Sequence, residues 1–93
     1  MSRATSFYVV NSMAGSAFFD DLEAVAQAFG PAVVYGYYPP STTLREDAFV
    51  QRDPVFWDCP QAAWILPVYA ERPGPEDVPC PIAIIVRVRP RET

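Results

Sequence analysis

Prolines set the strongest constraint on how this chain folds, because they interrupt it at short intervals. Eleven of the 93 residues are proline. Each one fixes φ and removes a backbone donor, so long helices and long uninterrupted strands are excluded from much of the chain. Apolar residues nevertheless make up 51% of the sequence, enough for one hydrophobic core. We therefore predict a single domain over residues 1–93, built from short elements.

One helix is predicted, over residues 17–29. Apolar residues recur at helical spacing and form one stripe: Phe18, Leu22, Val25, Ala26 and Phe29. We expect Leu22, Val25 and Phe29 to face the core. Ser16 is the expected N-cap, and a glycine–proline pair ends the pattern. The acidic residues near the start of this helix favour the positive end of its dipole.

Short apolar runs rich in β-branched and aromatic residues predict four strands. They cover residues 6–11, 32–38, 62–70 and 82–89. Pro67 indicates an edge position or a bulge in the third strand. In the fourth strand Ile85 and Arg87 share a face whose second half we expect to be exposed. Residues 43–52 fit either a short helix, opened by a capping box, or another strand.

The order β-α-β-(α)-β-β indicates an α+β fold. We expect a small mixed or antiparallel sheet of about four strands with one main helix packed on a face. A single helix cannot shield both faces of such a sheet. The second face therefore needs another cover, or it forms an interface.

The side chains available for catalysis are few. The sequence contains no histidine, and all seven of its cations are arginines, so the usual general base and the Schiff-base lysine are missing. Cys59 and Cys80 alone cannot complete a zinc tetrahedron. We expect these thiols to be free in a cytoplasm, with a disulfide as the alternative in an oxidising compartment. The sequence thus predicts a protein that is not an enzyme and that holds no cofactor and no metal.

The predicted cellular compartment rests on two kinds of segment that the sequence does not contain. No run approaches the roughly 20 apolar residues of a membrane span, and the N-terminus lacks the apolar stretch of a signal peptide. We therefore predict a cytoplasmic protein that does not contact the membrane.

The charge of the chain is unevenly distributed. Residues 82–93 carry three arginines against Glu92, a net charge of +2, whereas residues 1–81 carry four arginines against ten acids, a net charge of −6. This acidic body suits a protein partner with a basic surface and argues against binding of duplex nucleic acid. Trp57, in a segment bracketed by prolines, is the expected aromatic anchor. The candidate partner-binding residues are Asp20, Asp21, Glu23, Trp57, Glu76 and Asp77.

Three functions remain open. The leading hypothesis is a small acidic protein-interaction module, for example an inhibitor that occupies a partner's basic surface, as phage-encoded inhibitors of host nucleic-acid-handling machinery do. The second is a small domain that binds or senses an anionic ligand, with Arg87, Arg89 and Arg91 as the anion-binding stripe. The purely structural interpretation of these arginines is a charged strand edge or pairing with internal carboxylates. The third hypothesis is a homodimeric structural protein.

Overall fold

The residues that the structure describes form an α+β domain, a six-stranded antiparallel sheet with one α-helix. The computed structural model describes residues 6–36, 41–52, 63–72, 74, 76 and 80–88. In chain order the elements are β1 (Phe7–Ser12), β2 (Gly15–Phe19), α1 (Leu22–Phe29), β3 (Val34–Tyr35), a short 3-10 helix (Glu46–Ala48), β4 (Val50–Arg52), β5 (Ala63–Tyr69) and β6 (Ala83–Val88).

The strands follow the spatial order β2-β1-β6-β5-β3, and β4 also pairs with β5. Every one of these pairs is antiparallel. The antiparallel form of the predicted sheet is therefore confirmed, with more strands than the four expected. The predicted β-α-β order is present, since α1 connects β2 to β3, but these two parallel strands lie at opposite ends of the strand order and are not neighbours.

The first part of the predicted helix is instead a strand. β2 pairs with β1 across the two-residue turn Met13–Ala14, with Phe18 opposite Val9. This turn lacks the Asn-Gly or Asp-Gly pair that signals a hairpin in a sequence. The turn instead relies on Gly15, whose φ of +117° lies in a region that residues with a side chain rarely adopt.

Asp21, and not Ser16, caps the helix. The Asp21 side chain accepts a hydrogen bond from the Ala24 N–H at 2.8 Å, which satisfies one of the free donors of the first turn. Gly30 ends the helix with φ of +84°. Among the residues that the structure describes, no helix is long and apolar enough to cross a membrane.

The core lies between α1 and one face of the sheet. Val25, Leu66 and Ile85 are completely buried at its centre. Leu22 and Phe29 are half-buried and pack against this cluster. The predicted apolar stripe of the helix is thus confirmed for these residues of α1. The sheet face that carries the core is called the covered face below.

Pro67 lies in an interior strand, so the expectation of an edge or a bulge was wrong. β5 has β6 on one side and both β3 and β4 on the other. β4 pairs with β5 as far as Ile65, and β3 begins at Val68. The Pro67 carbonyl accepts from the Gly36 N–H at 2.9 Å, so the proline nitrogen also faces this gap. Proline forgoes only the reciprocal bond to Gly36, which lies just past the end of β3, so it is tolerated there.

The ambiguous segment 43–52 combines both predicted alternatives. It contains a 3-10 helix of three residues and then strand β4. The helix has no side-chain cap at Arg45, and the Thr43 N–H is bound to the Ser41 hydroxyl oxygen, so the predicted capping box is not formed. Of the predicted strand over residues 32–38, the structure places Val34–Tyr35 in β3; residues 37–38 lie outside the described part.

Candidate interaction surface

The sheet face turned away from α1 is apolar and free of charge along three neighbouring strands. Cross-strand partners share a face, and Val9 stands opposite both Phe18 and Val86. Their neighbours Tyr8 and Ile85 belong to the core on the covered face. The residues on the opposite side, which we call the open face, are Phe7, Val9 and Asn11 of β1, Ser16 and Phe18 of β2, and Ile84, Val86 and Val88 of β6, together with Ile82 just before β6.

Several large side chains of the open face are in contact with solvent. Phe18 is 72% exposed and Ile82 is 44% exposed. The Phe18 ring stacks on the Phe7 ring, with 6.2 Å between their centres and 21° between their planes. Val9 and Val86, between these residues, are half-buried. Contiguous exposed apolar surface of this kind marks an interaction site more often than single exposed residues do.

A groove runs across the open face beside the β1–β2 turn. Its volume is about 570 Å³. Met13, Ile82, Ile84 and Val86 provide apolar walls. Part of the polar lining is already hydrogen-bonded, because the Ser16 hydroxyl donates to Asn11 Oδ1 at 2.6 Å. The groove therefore offers a partner mainly apolar contact.

The predicted acidic residues are exposed wherever the structure describes them. Asp20 follows β2 directly and is exposed, as are Asp21 and Glu23 at the start of α1. Glu76 is exposed in the loop between β5 and β6. Asp21 is committed to the helix cap. Trp57 and Asp77 lie outside the described residues, so their roles stay predictions.

Arg87 lies on the covered face, and its surroundings correct the expectation of exposure there. Its side chain is only 9% exposed, and its Nη1 forms an ion pair with Glu46 Oε1 at 3.2 Å. The guanidinium stands over two rings, 5.6 Å from the centre of Phe49 and 5.1 Å from that of Trp64, an arrangement that favours a cation. β6 is also an interior strand, so Arg87 does not guard a sheet edge.

Glu46 joins Arg87 to a buried tyrosine. The Tyr8 hydroxyl donates to Glu46 Oε2 at 2.7 Å. Burial raises the pKa of Tyr8 to about 12, and the hydrogen bond to Glu46 and its negative charge act in the same direction. Arg87 therefore already has a carboxylate partner, which agrees with the structural interpretation of this arginine. Arg89 and Arg91 lie outside the described residues, and anion binding by the three arginines stays a prediction.

The sequence indicated this surface only in part. The alternation in residues 82–89 placed Ile82, Ile84 and Val86 on one face, and the single helix implied an uncovered face. Phe18 was missed, because it fell within the predicted helix. The sequence matches no protein-family model, no curated protein and no solved structure. The chemistry of the surface is therefore the basis for a functional proposal.

Proposed function

We propose that this protein is an interaction module that binds a partner protein through its open face. One observation carries the proposal: on β2, β1 and β6 the open face bears no charged side chain, and it exposes Phe18 and, just before β6, Ile82. Such a face resembles the centre of a protein interface, where charged residues are depleted and aromatic residues are enriched. The stacked pair Phe7 and Phe18 supplies the aromatic anchor.

The partner's charge is inferred from the exposed charges next to the strands of the open face. Asp20 follows β2 directly, and the loop between β5 and β6 carries Glu71 and Glu76 against Arg72; all four are exposed. A net charge of −4 adds to their effect. We infer a partner that offers apolar side chains surrounded by arginine or lysine, with the charges contributing mainly to the rate of association. In its most specific form, the proposal is that the partner is a protein that normally binds or processes nucleic acid.

A comparison of matched variants tests the proposal. Phe18→Gln and Ile82→Gln remove exposed apolar side chains from the open face. Trp64→Gln is the control, because Trp64 is 41% exposed but stands opposite Arg87 on the covered face. Each tagged protein is used to capture partners from a lysate of the cells that naturally express it, and captured proteins are quantified by mass spectrometry.

We expect the wild-type protein and Trp64→Gln to capture the same partner near 1:1. The two open-face variants should retain less than about one tenth of it, since loss of an anchor commonly costs 2 kcal/mol or more. Thermal unfolding of each variant establishes that the fold is intact. Equal capture by all four proteins, or loss only in Trp64→Gln, would overturn the proposal.

A further inference from the structure

Strand β2 forms one edge of the sheet, and its outer side is unpaired within the described part of the chain. Its residues from Gly15 to Phe18 are exposed, and Phe19 is half-buried. Edge strands of monomeric proteins are usually protected by lysine, proline or an inward-pointing charge. β2 has the sequence Gly-Ser-Ala-Phe-Phe and contains none of these, so it is open to pairing with another strand.

The geometry of the hairpin decides which backbone groups face outward. In a hairpin with a two-residue turn, the two residues that flank the turn form a hydrogen-bonded pair. Here these residues are Ser12 and Gly15. Hydrogen-bonded and non-hydrogen-bonded pairs then alternate along the ladder, so Ala17 bonds to Val10 of β1. The N–H and C=O groups of Ser16 and Phe18 consequently point away from β1, at the free edge.

The outward groups are complementary to those of a second copy. In an antiparallel contact centred on Ala17, Ser16 of each copy stands opposite Phe18 of the other, and both can exchange N–H···O=C bonds. The same register places Phe19 opposite Gly15 of the second copy. Each aromatic ring therefore meets a small residue, which avoids a steric clash between rings and covers an otherwise bare glycine.

The charges also suit this register. Asp20 of one copy would stand beside Ala14 of the other, about six residues from the second Asp20. At roughly 3.4 Å per residue that separation is about 20 Å, well beyond the screening length of about 8 Å in physiological salt. The two acidic groups therefore add little repulsion at the contact.

We propose that two copies of this protein pair through β2 in an antiparallel, two-fold contact centred on Ala17, forming a continuous twelve-stranded sheet. The two-fold axis stands perpendicular to the sheet, so both open faces lie on the same side of the dimer. A partner would then meet two adjacent copies of the apolar surface. This inference does not rest on the proposed function, because the contact uses the strand edge and leaves the faces free.

Cysteine scanning tests both the contact and its register. Ser16, Ala17 and Phe18 are each changed to cysteine in a background in which Cys59 and Cys80 are serine, with Gln27→Cys on α1 as the exposed control. The proteins are incubated with oxidised glutathione, and covalent dimers are counted by non-reducing electrophoresis. In the proposed register the two Ala17 Cα atoms lie about 4.5 Å apart, within disulfide range. Two copies of Ser16 or of Phe18 lie about 8 Å apart, beyond that range.

We expect Ala17→Cys to form covalent dimers at least fivefold faster than the other three variants. The cysteine-free parent should sediment at twice its monomer mass of 10.4 kDa. Ala17→Lys, which sets two like charges opposite each other, should raise the dimer dissociation constant about fivefold or more, while Gln27→Lys should not. A monomeric parent, or faster cross-linking through residue 16 or 18, would overturn the inference. The capture experiment is unaffected by either result, since a monomer retains its open face.

Discussion

At the scale of single residues, the informative cluster is Tyr8, Glu46 and Arg87. Glu46 accepts from both of the others, and the rings of Phe49 and Trp64 flank the guanidinium. Arginine keeps its charge when partly buried and packs flat against rings, which explains how a cation is accommodated beside the core. The cluster ties the 3-10 helix to the centre of the sheet, so its role is in stability.

The pKa of Tyr8 predicts how stability depends on pH. Its value is raised from 10 in the unfolded chain to about 12 in the folded protein. The associated stability is therefore complete below pH 10 and is lost as the pH rises through 12. We expect the wild-type protein to lose on the order of 1 kcal/mol of unfolding free energy from this group by pH 11. Tyr8→Phe keeps the ring but has no ionisable hydroxyl, so it should not lose this part of the unfolding free energy.

Urea unfolding at pH 8 and pH 11 measures the effect. The wild-type protein should lose more stability between the two pH values than Tyr8→Phe. Burial also raises the pKa of Tyr35, so the variant keeps part of the dependence. An identical loss in both proteins would show that Tyr8 does not contribute.

At the scale of elements, the stretch from Gly15 to Phe29 carries the main difference between sequence and structure. It is divided between a strand and a helix, with two residues between them. Asp21 caps α1, whereas Ser16 pairs with Asn11 in the hairpin.

The two candidate N-caps, Asp21 and Ser16, predict different effects of substitution on the free energy of unfolding. Asp21→Ala should lower the free energy of unfolding by about 1 kcal/mol, because the Ala24 N–H loses its acceptor. Asp21→Asn, which can still accept this bond, should cost only a few tenths. Ser16→Ala lies at an exposed strand position and should change stability by less than about 0.5 kcal/mol. Chemical denaturation measures all three, and a larger cost for Ser16→Ala would contradict the hairpin.

Local signals account for what the sequence could predict. The strands around residues 6–11, 62–70 and 82–89 follow from short runs rich in apolar, β-branched and aromatic residues, and the buried stripe of α1 follows from its helical period. Phe18 and Phe19 satisfy both the helical and the strand period, so the sequence alone could not locate the boundary. Pro67 is acceptable only because two short strands leave a gap beside it, which is a tertiary feature. The ring partners of Arg87 are likewise distant in sequence.

At the scale of the whole molecule, the two faces of the sheet have different roles. The covered face packs against α1 and holds the core and the Arg87 ion pair. The open face exposes Phe18 and Ile82 and contains a groove of about 570 Å³, whereas Ile65, Pro67 and Ile84 on the same side of the sheet are buried. The sequence anticipated a second face that needs a cover or forms an interface, and the exposed acids suit a basic partner. Binding through this face is the central claim.

Methyl NMR of the protein with its captured partner tests that claim most directly. Val9, Ile82 and Val86 report on the open face, whereas Val25 and Leu66 report on the core beneath the covered face. We predict that adding the partner shifts or broadens the methyl signals of the first group and leaves those of the second within error. Perturbation centred on Val25 and Leu66, with the open-face methyl signals unchanged, would contradict the account.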